Sequence, residues 1–203
     1  MTGVQTWWLS IFGPLLSNSV GEQKKIVEGT EAIKWIVNSP FLFIYKNRED
    51  YIRETLTWNI RKKHGFKPIE IGKDELSALV PELSEEYTFA IKINNQGYIS
   101  NSKKYLNDLI EGFKKLGGKI IEDEVVDISS DQKTIIIKGK KEEMFSDSVV
   151  IAAGVFSDKL SKKFGANVPL QSERGYHLEL RETNIKLNYP LMNRSEEHTS
   201  ELQ

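Results

Sequence analysis

Apolar positions along this chain recur with two alternating periods. From Gly21 to Val37, the residues Ile26, Ala32, Ile33, Ile36 and Val37 fall at roughly helical spacing. Ser39-Pro40 predicts the end of that helix, because the residue before a proline is pushed out of the α region. Phe41 to Tyr45 (FLFIY) is a short aromatic-rich run and predicts a strand. Asn47 is placed to cap a following helix that runs through YIRETLTWNIRKKHG. That helix is expected to stop at Gly65, after a basic last turn that suits the helix dipole. KPIEIG reads as an extended link, and KDELSALVPEL as a helix with Asp74 and Glu75 in its first turn and Pro81 at its end.

Tyr87 to Ile93 (YTFAIKI) alternates, which predicts a strand with one solvated face. NNQG, Asn94 to Gly97, is turn chemistry. A helix is predicted after Asn101 or Ser102, with Tyr105, Leu106, Leu109, Ile110, Phe113 and Leu116 on one face and Gly117-Gly118 as its left-handed cap. Lys119 to Ile121 is expected to open a strand, and EVVDISSD with TIIIKG to form a hairpin around Ser130-Asp131. Val149 to Ala153 is a continuous apolar run, the pattern of a strand buried on both faces in a parallel sheet. After Gly154 an amphipathic helix leads to a proline and then to a second strand bearing Arg174, Tyr176 and His177. The fold class predicted is α/β, mixed with α+β.

Composition narrows the functional classes. A net charge of −1 leaves no basic surplus to neutralise nucleic-acid phosphates. Cysteine is absent, which excludes disulfides and thiolate metal sites, and His64, His177 and His198 are too scattered to suggest a metal centre. WWLSIFGPLL, Trp7 to Leu16, is far shorter than the roughly 20 residues needed to span a bilayer and is interrupted by Pro14. It also lacks the flanks of a signal peptide, so it reads as a core-packing helix, with a membrane-surface anchor as the alternative. A cytoplasmic location is expected, with peripheral attachment to the inner membrane as a variant. Residues 194–203, RSEEHTSELQ, match codon for codon the translation of a common sequencing adapter and are left out of the fold reasoning.

VVIAAGVFS, then KLSKKFGANVPL, then SERGYHLEL carry a resemblance. This order is similar to the FAD-dependent amine and amino-acid oxidoreductases of the D-amino-acid oxidase superfamily, most of all to its D-amino-acid dehydrogenase-like members. FLFIYKNREDYIRE, KDELSALVPEL and GYISNSKKYLNDLIEGFKKLGGKI resemble earlier parts of the same pattern, so the likeness covers about Phe41 to Asn193. The resemblance implies part of an FAD-binding domain of the glutathione-reductase-like type, interleaved with a substrate domain built on a mixed sheet. Residues 1–98 would then be substrate-domain sequence, 99–168 the middle of the FAD-binding domain, and 169–193 a return strand into the substrate domain. The family opens with G-x-G-x-x-G on a strand–turn–helix that grips the FAD pyrophosphate, and no such pattern occurs here. The family's closing flavin segment is missing too, so the chain reads as an internal piece of a longer protein.

The implied reaction is oxidation of a C–N bond in a D-amino acid or related amine by hydride transfer to flavin. Glycine, sarcosine, dimethylglycine or a 2-hydroxy acid are alternative substrates, and an inactive truncated chain unable to hold FAD is another reading. By the same resemblance Val125 would offer backbone groups to the adenine. Ala152, Ala153 and Gly154 would lie against the diphosphate or ribityl region, with Phe156 and Ser157 continuing the motif and Gly175 allowing close backbone approach near the flavin ring. Ser157 is equally suited to cap the helix from Asp158 onward. Arg174 can grip a carboxylate with two parallel hydrogen bonds and Tyr176 can add a third, while an ion pair of Arg174 with Glu173 is the competing reading. In a strand His177 would point away from Tyr176, so it reads as structural.

Overall fold

The computed structural model describes residues 18–131, 134–180 and 182–194; the helix expected at Trp7–Leu16 lies outside them. The chain divides into two compact units, residues 1–118 with 182–203, and residues 119–181.

The first unit opens with α1, Ser19–Ile26. The helix expected to reach Val37 stops there. Gly29 takes φ 75, a left-handed value that breaks helical continuity, and Thr30 then caps a separate 3₁₀ turn, Glu31–Trp35, by accepting from the Ala32 N–H. Ile36–Asn38 forms a short strand, β1, drawn out of the helix by antiparallel pairing with Gly97–Ile99, here β5.

A four-stranded sheet forms the centre of this unit. β2 is Phe41–Tyr45, as its aromatic run predicts. Asn47 caps α2, Arg48–Arg53, by accepting from the Asp50 N–H at 2.9 Å. The expected single helix is two: α3, Thr55–Lys63, follows after a break at Glu54, whose φ −91 and ψ 11 leave the helical region. Gly65 ends it with φ 87. The link KPIEIG holds a strand, β3, Pro68–Ile71, because it pairs antiparallel with β4, Phe89–Ile93; its proline sits at the strand's first residue. α4, Lys73–Leu79, lies between them and ends at Val80, just before Pro81. The sheet order is β3-β4-β2-β9, where β9 is Leu191–Asn193 and runs parallel to β2, so the sheet is mixed.

β4 was expected to have one solvated face, yet both of its faces are covered. Phe89, Ile91 and Ile93 join Phe43, Tyr45, Tyr51 and Trp58 on one side. Ala90 joins Leu42, Ile44, Ile71, Leu76 and Val80 on the other. A central strand with packing on both sides loses the polar-out pattern of a two-layer sheet, and Lys92 is the one half-exposed position.

Near the aromatic side, Tyr45 donates to Glu54 Oε2 at 2.8 Å and accepts from Trp58 Nε1 at 2.8 Å. Burial, ahead of its other surroundings, pushes the Tyr45 phenol well above its ordinary range. Arg194, the first residue of the adapter-like tail, donates to both Glu54 oxygens, at 2.6 to 3.2 Å, so this contact is not counted toward the cluster.

α5, Ser102–Lys115, is capped by Asn101, which accepts from the Lys104 N–H at 2.9 Å, and Gly117 with φ 89 follows it. It packs on the 3₁₀ turn: Trp35 Nε1 donates to Asp108 at 2.7 Å, and that bond, ahead of the other influences, holds the Asp108 carboxyl below its usual range. Of its predicted apolar face, Leu106, Phe113 and Leu116 remain exposed. A Cβ on Gly112 would stand 2.5 Å from Thr30 Cγ2, closer than real contacts allow. Gly112→Val is therefore expected to lower stability by about 1–3 kcal/mol, read as a drop in thermal midpoint by circular dichroism. Gly72→Ala, at φ −84 and with nothing within 4 Å of its Cβ, is its comparison for added bulk without strain.

The second unit is a three-stranded antiparallel meander: β6 Val125–Asp131, β7 Thr134–Gly139 and β8 Glu143–Ser146. A hairpin forms as expected, but Ser130 and Asp131, where its turn was placed, belong to β6 and pair with Ile135 and Thr134; β8 adds a third strand that the pattern did not predict. Asp123 accepts from the N–H groups of Glu124, Lys140, Lys141 and Glu142. Desolvation works to raise this carboxyl, but the four bonds together hold it below the usual range.

Three expected strands are absent here. Lys119–Ile121 has no regular structure, nor do Val149–Ala153 and the stretch bearing Arg174, Tyr176 and His177. A strand needs a neighbour to take its N–H and C=O groups, and none of β6–β8 pairs with these segments. The expectation of a run buried on both faces is overturned: Val150 is 87% exposed.

Candidate functional site

Local chemistry builds the turn that ends the apolar run. Gly154 has φ 57, a left-handed value that costs an L-residue roughly 1–2 kcal/mol. A Cβ placed on it would meet nothing within 4 Å, so the position stands open. The Phe156 N–H donates to the Ala153 carbonyl at 3.1 Å and closes a 3₁₀ turn over Gly154–Phe156. Ser157 is the first residue of α6, Ser157–Ser161, and does not cap that helix. Its Oγ instead reaches back and accepts from the Ala153 N–H at 3.0 Å. The N–H groups of Gly154 and Val155 make no hydrogen bond among the described residues. The turn thus presents two free donors on a backbone that no side chain covers.

Salt links tie the turn to its surroundings. Lys162 reaches Asp158 at 2.6 Å within the helix. Lys163 meets Asp127 on β6, and that hydrogen bond is the foremost reason the Asp127 carboxyl sits below its ordinary range. Lys163 lies in the 3₁₀ turn Lys162–Phe164 after α6, so this exposed pair is a weak link between that turn and β6.

The predicted residues fall in three places. Ala152, Ala153, Gly154, Phe156 and Ser157 share the turn, and the Phe156 ring is 74% exposed. Val125 opens β6 opposite Gly139, beside an irregularity in the register. Arg174, Gly175 and Tyr176 lie in an exposed irregular stretch, with Tyr176 86% exposed and nothing within 4 Å of a Cβ on Gly175. Arg174 makes no ion pair among the described residues, with Glu173 or any other acid. Because no strand forms here, the alternation that would aim Tyr176 and His177 apart does not operate. Val125 and Arg174–Tyr176 belong to the same compact unit as the turn, but no hydrogen bond joins them to it.

One feature escaped the sequence reading. A groove of about 600 Å³ in the first unit is bounded by residues 64–67, Ile69, Ile93 and the turn 94–96. The basic run RKKHGFK, residues 61–67, borders it. Among the described residues no cluster of His, Cys, Asp or Glu could hold a metal ion, and no helix is long and apolar enough to cross a membrane.

Comparison with known proteins gives these findings. Residues 19–200 match the DAO family, whose description is FAD dependent oxidoreductase. A D-amino-acid oxidase of Bradyrhizobium diazoefficiens is 26% identical over 165 residues, which make up 81% of this chain and 39% of that protein. Glycine oxidase from Geobacillus kaustophilus superposes with a TM-score of 0.60 at 20% identity, covering 77% of this chain and 42% of that one. L-alpha-glycerophosphate oxidase from Mycoplasma pneumoniae, solved with FAD bound, gives 0.64 at 15% identity, covering 88% and 49%. At these identities the two structures speak for the fold alone. The chain spans about two fifths of the length of the curated relative it matches.

Proposed function

Because this chain belongs to the DAO family of FAD-dependent oxidoreductases, we propose that the protein containing it oxidises the C–N bond of a D-amino acid or a related small amine. The observation that carries this reading is the turn at Ala152–Gly154. It offers two unpaired N–H groups and an open left-handed glycine, a surface on which an anionic nucleotide can rest.

The residues present fit FAD in that respect. Ala152, Ala153 and Gly154 would lie against its diphosphate or ribityl part, with Phe156 and Ser157 beside them, Val125 near the adenine and Gly175 near the ring. When bound, FAD supplies the acceptor for the hydride leaving the substrate's α-carbon. The chain's own part is to bind and orient. Arg174, exposed and without an acidic partner among the described residues, grips the substrate carboxylate with two hydrogen bonds, and the Tyr176 hydroxyl donates a third. The amine reacts uncharged, and the imine product is hydrolysed by water.

No G-x-G-x-x-G occurs among the 203 residues, so this chain alone is expected to hold FAD weakly. The test uses the full-length protein. Purified with its flavin and kept anaerobic, it should lose its visible flavin absorbance on addition of D-alanine or D-proline. Bleaching by glycerol 3-phosphate alone would reject the amine assignment. Bleaching by glycine or sarcosine in preference to D-amino acids would move the substrate class within the same chemistry.

A further inference from the structure

The groove at the end of α3 lies entirely within the first unit and takes no part in the reading above. A basic last turn ordinarily serves the free carbonyls of a helix end. Here the backbone already serves them: the N–H groups of His64, Gly65 and Phe66 donate to the carbonyls of Ile60, Lys62 and Arg61 at 3.1 to 3.2 Å. Arg61 is turned inward, its guanidinium 4.5 Å from the Trp58 ring centre and 4.9 Å from that of Phe43.

Lys62, Lys63 and Lys67 are left exposed, with no ion pair or hydrogen bond among the described residues. Lys25 meets Glu22 at 2.8 Å and Lys114 meets Glu111 at 2.9 Å, whereas Lys24, Lys73, Lys103 and Lys115 are, like these three, without an ion pair among the described residues. What sets Lys62, Lys63 and Lys67 apart is their closeness in sequence with no acid among them. No acidic residue occurs from Thr55 to Ile69, and none lines the groove. On a chain of net charge −1 this is a local excess of positive charge beside a concave surface. The groove's apolar wall is Phe66, Ile69 and the 4%-exposed Ile93, and the turn 94–96 adds neutral amides. Its volume of about 600 Å³ falls in the range of small-molecule sites.

We propose that this groove binds a small organic anion, a phosphate or carboxylate attached to an aromatic or short aliphatic body. Lys67, which lines the groove, meets the anionic head as a point charge, and Lys63, next to the lining residue His64, adds to the local positive field. Phe66 and Ile69 receive the apolar body, and Asn94 to Gln96 offer hydrogen bonds to what lies between.

The test is a titration of the isotopically labelled 203-residue chain with phenyl phosphate, followed through amide chemical shifts at low and at physiological salt. Saturable shifts are expected at residues 64–69 and 94–96. The double variant Lys63→Gln with Lys67→Gln should weaken binding about tenfold or more, as loss of hydrogen bonds to a charged group implies. Both lysines are exposed, so the variant's circular dichroism should match the parent's. Lys25→Gln with Lys114→Gln, which removes the same charge elsewhere, should bind like the parent. Inorganic phosphate should bind more weakly than phenyl phosphate. Equal binding of the two phosphates, shifts spread over all lysines, or an unaffected double variant would overturn the proposal. So would phosphatidylglycerol vesicles capturing the chain while phenyl phosphate fails to saturate it, which would mark a membrane-facing patch instead.

Discussion

Trp58→Ala is expected to unfold much of the first unit near body temperature. The indole is 1% exposed and packs edge-on against Phe43 with ring centres 5.2 Å apart. Its Nε1 holds the Tyr45 hydroxyl, and the Arg61 guanidinium lies over its ring. Truncation removes the transfer energy of the ring, leaves a cavity between β2 and α3, and strips Arg61 of its apolar platform. Such substitutions cost about 3–5 kcal/mol, a large part of the roughly 5–15 kcal/mol that holds a domain together. A fall of about 6–20 °C in the thermal midpoint follows for a chain of this size, measured by near-ultraviolet circular dichroism. Trp58→Phe keeps the packing but loses the hydrogen bond, and its fall should be well under half as large. A change of only a degree or two in Trp58→Ala would mean that this aromatic cluster does not carry the unit.

Arg174→Ala should have the largest effect on activity of any single change outside the turn at Ala152–Gly154. A bidentate hydrogen bond from guanidinium to carboxylate is worth about 1.5–3 kcal/mol, so kcat/KM for a D-amino acid in the full-length protein should fall about 10- to 100-fold. The loss should appear chiefly in KM, because the carboxylate is gripped alike in ground and transition states. Arg174→Lys should recover only part, since an ammonium cannot reproduce the paired geometry. An amine without a carboxylate should be oxidised equally by both variants and the parent. A uniform loss on both substrate types would assign Arg174 to structure instead. The side chain is exposed and unpaired among the described residues, so its removal leaves no acid stranded.

What the sequence made legible follows from how locally each feature is determined. Phe41–Tyr45, the Asn47 and Asn101 caps and the glycines at 65 and 117 are set by a few neighbouring residues, and all are found. The mixed α/β character is legible for the same reason. Pro68–Ile71, Gly97–Ile99 and Leu191–Asn193 became strands only because a distant segment pairs with them, and nothing in three or four residues announces a partner. Val149–Ala153 fails in the opposite sense: its pattern is that of a buried strand, but no described strand lies beside it. The single helix drawn from Gly21 to Val37 ignored Gly29-Thr30, a left-handed glycine followed by a capping threonine, which is a local signal that was there to be read. At the site, the small residues of the turn were legible, since only glycine takes φ 57 without strain. The groove was not, because residues 64–69 and 94–96 meet only through the pairing of β3 with β4.

The proposal rests most heavily on the open backbone at Gly154, and flavin content measures it directly. Gly154→Leu fills that space with a side chain, while Gly165→Leu, at φ 75 and equally open, imposes the same backbone strain away from the turn. In the full-length protein, flavin per polypeptide after gel filtration should fall to a small fraction for Gly154→Leu and stay near the parent value for Gly165→Leu. Full flavin retention by Gly154→Leu would contradict the assignment of this turn to the cofactor.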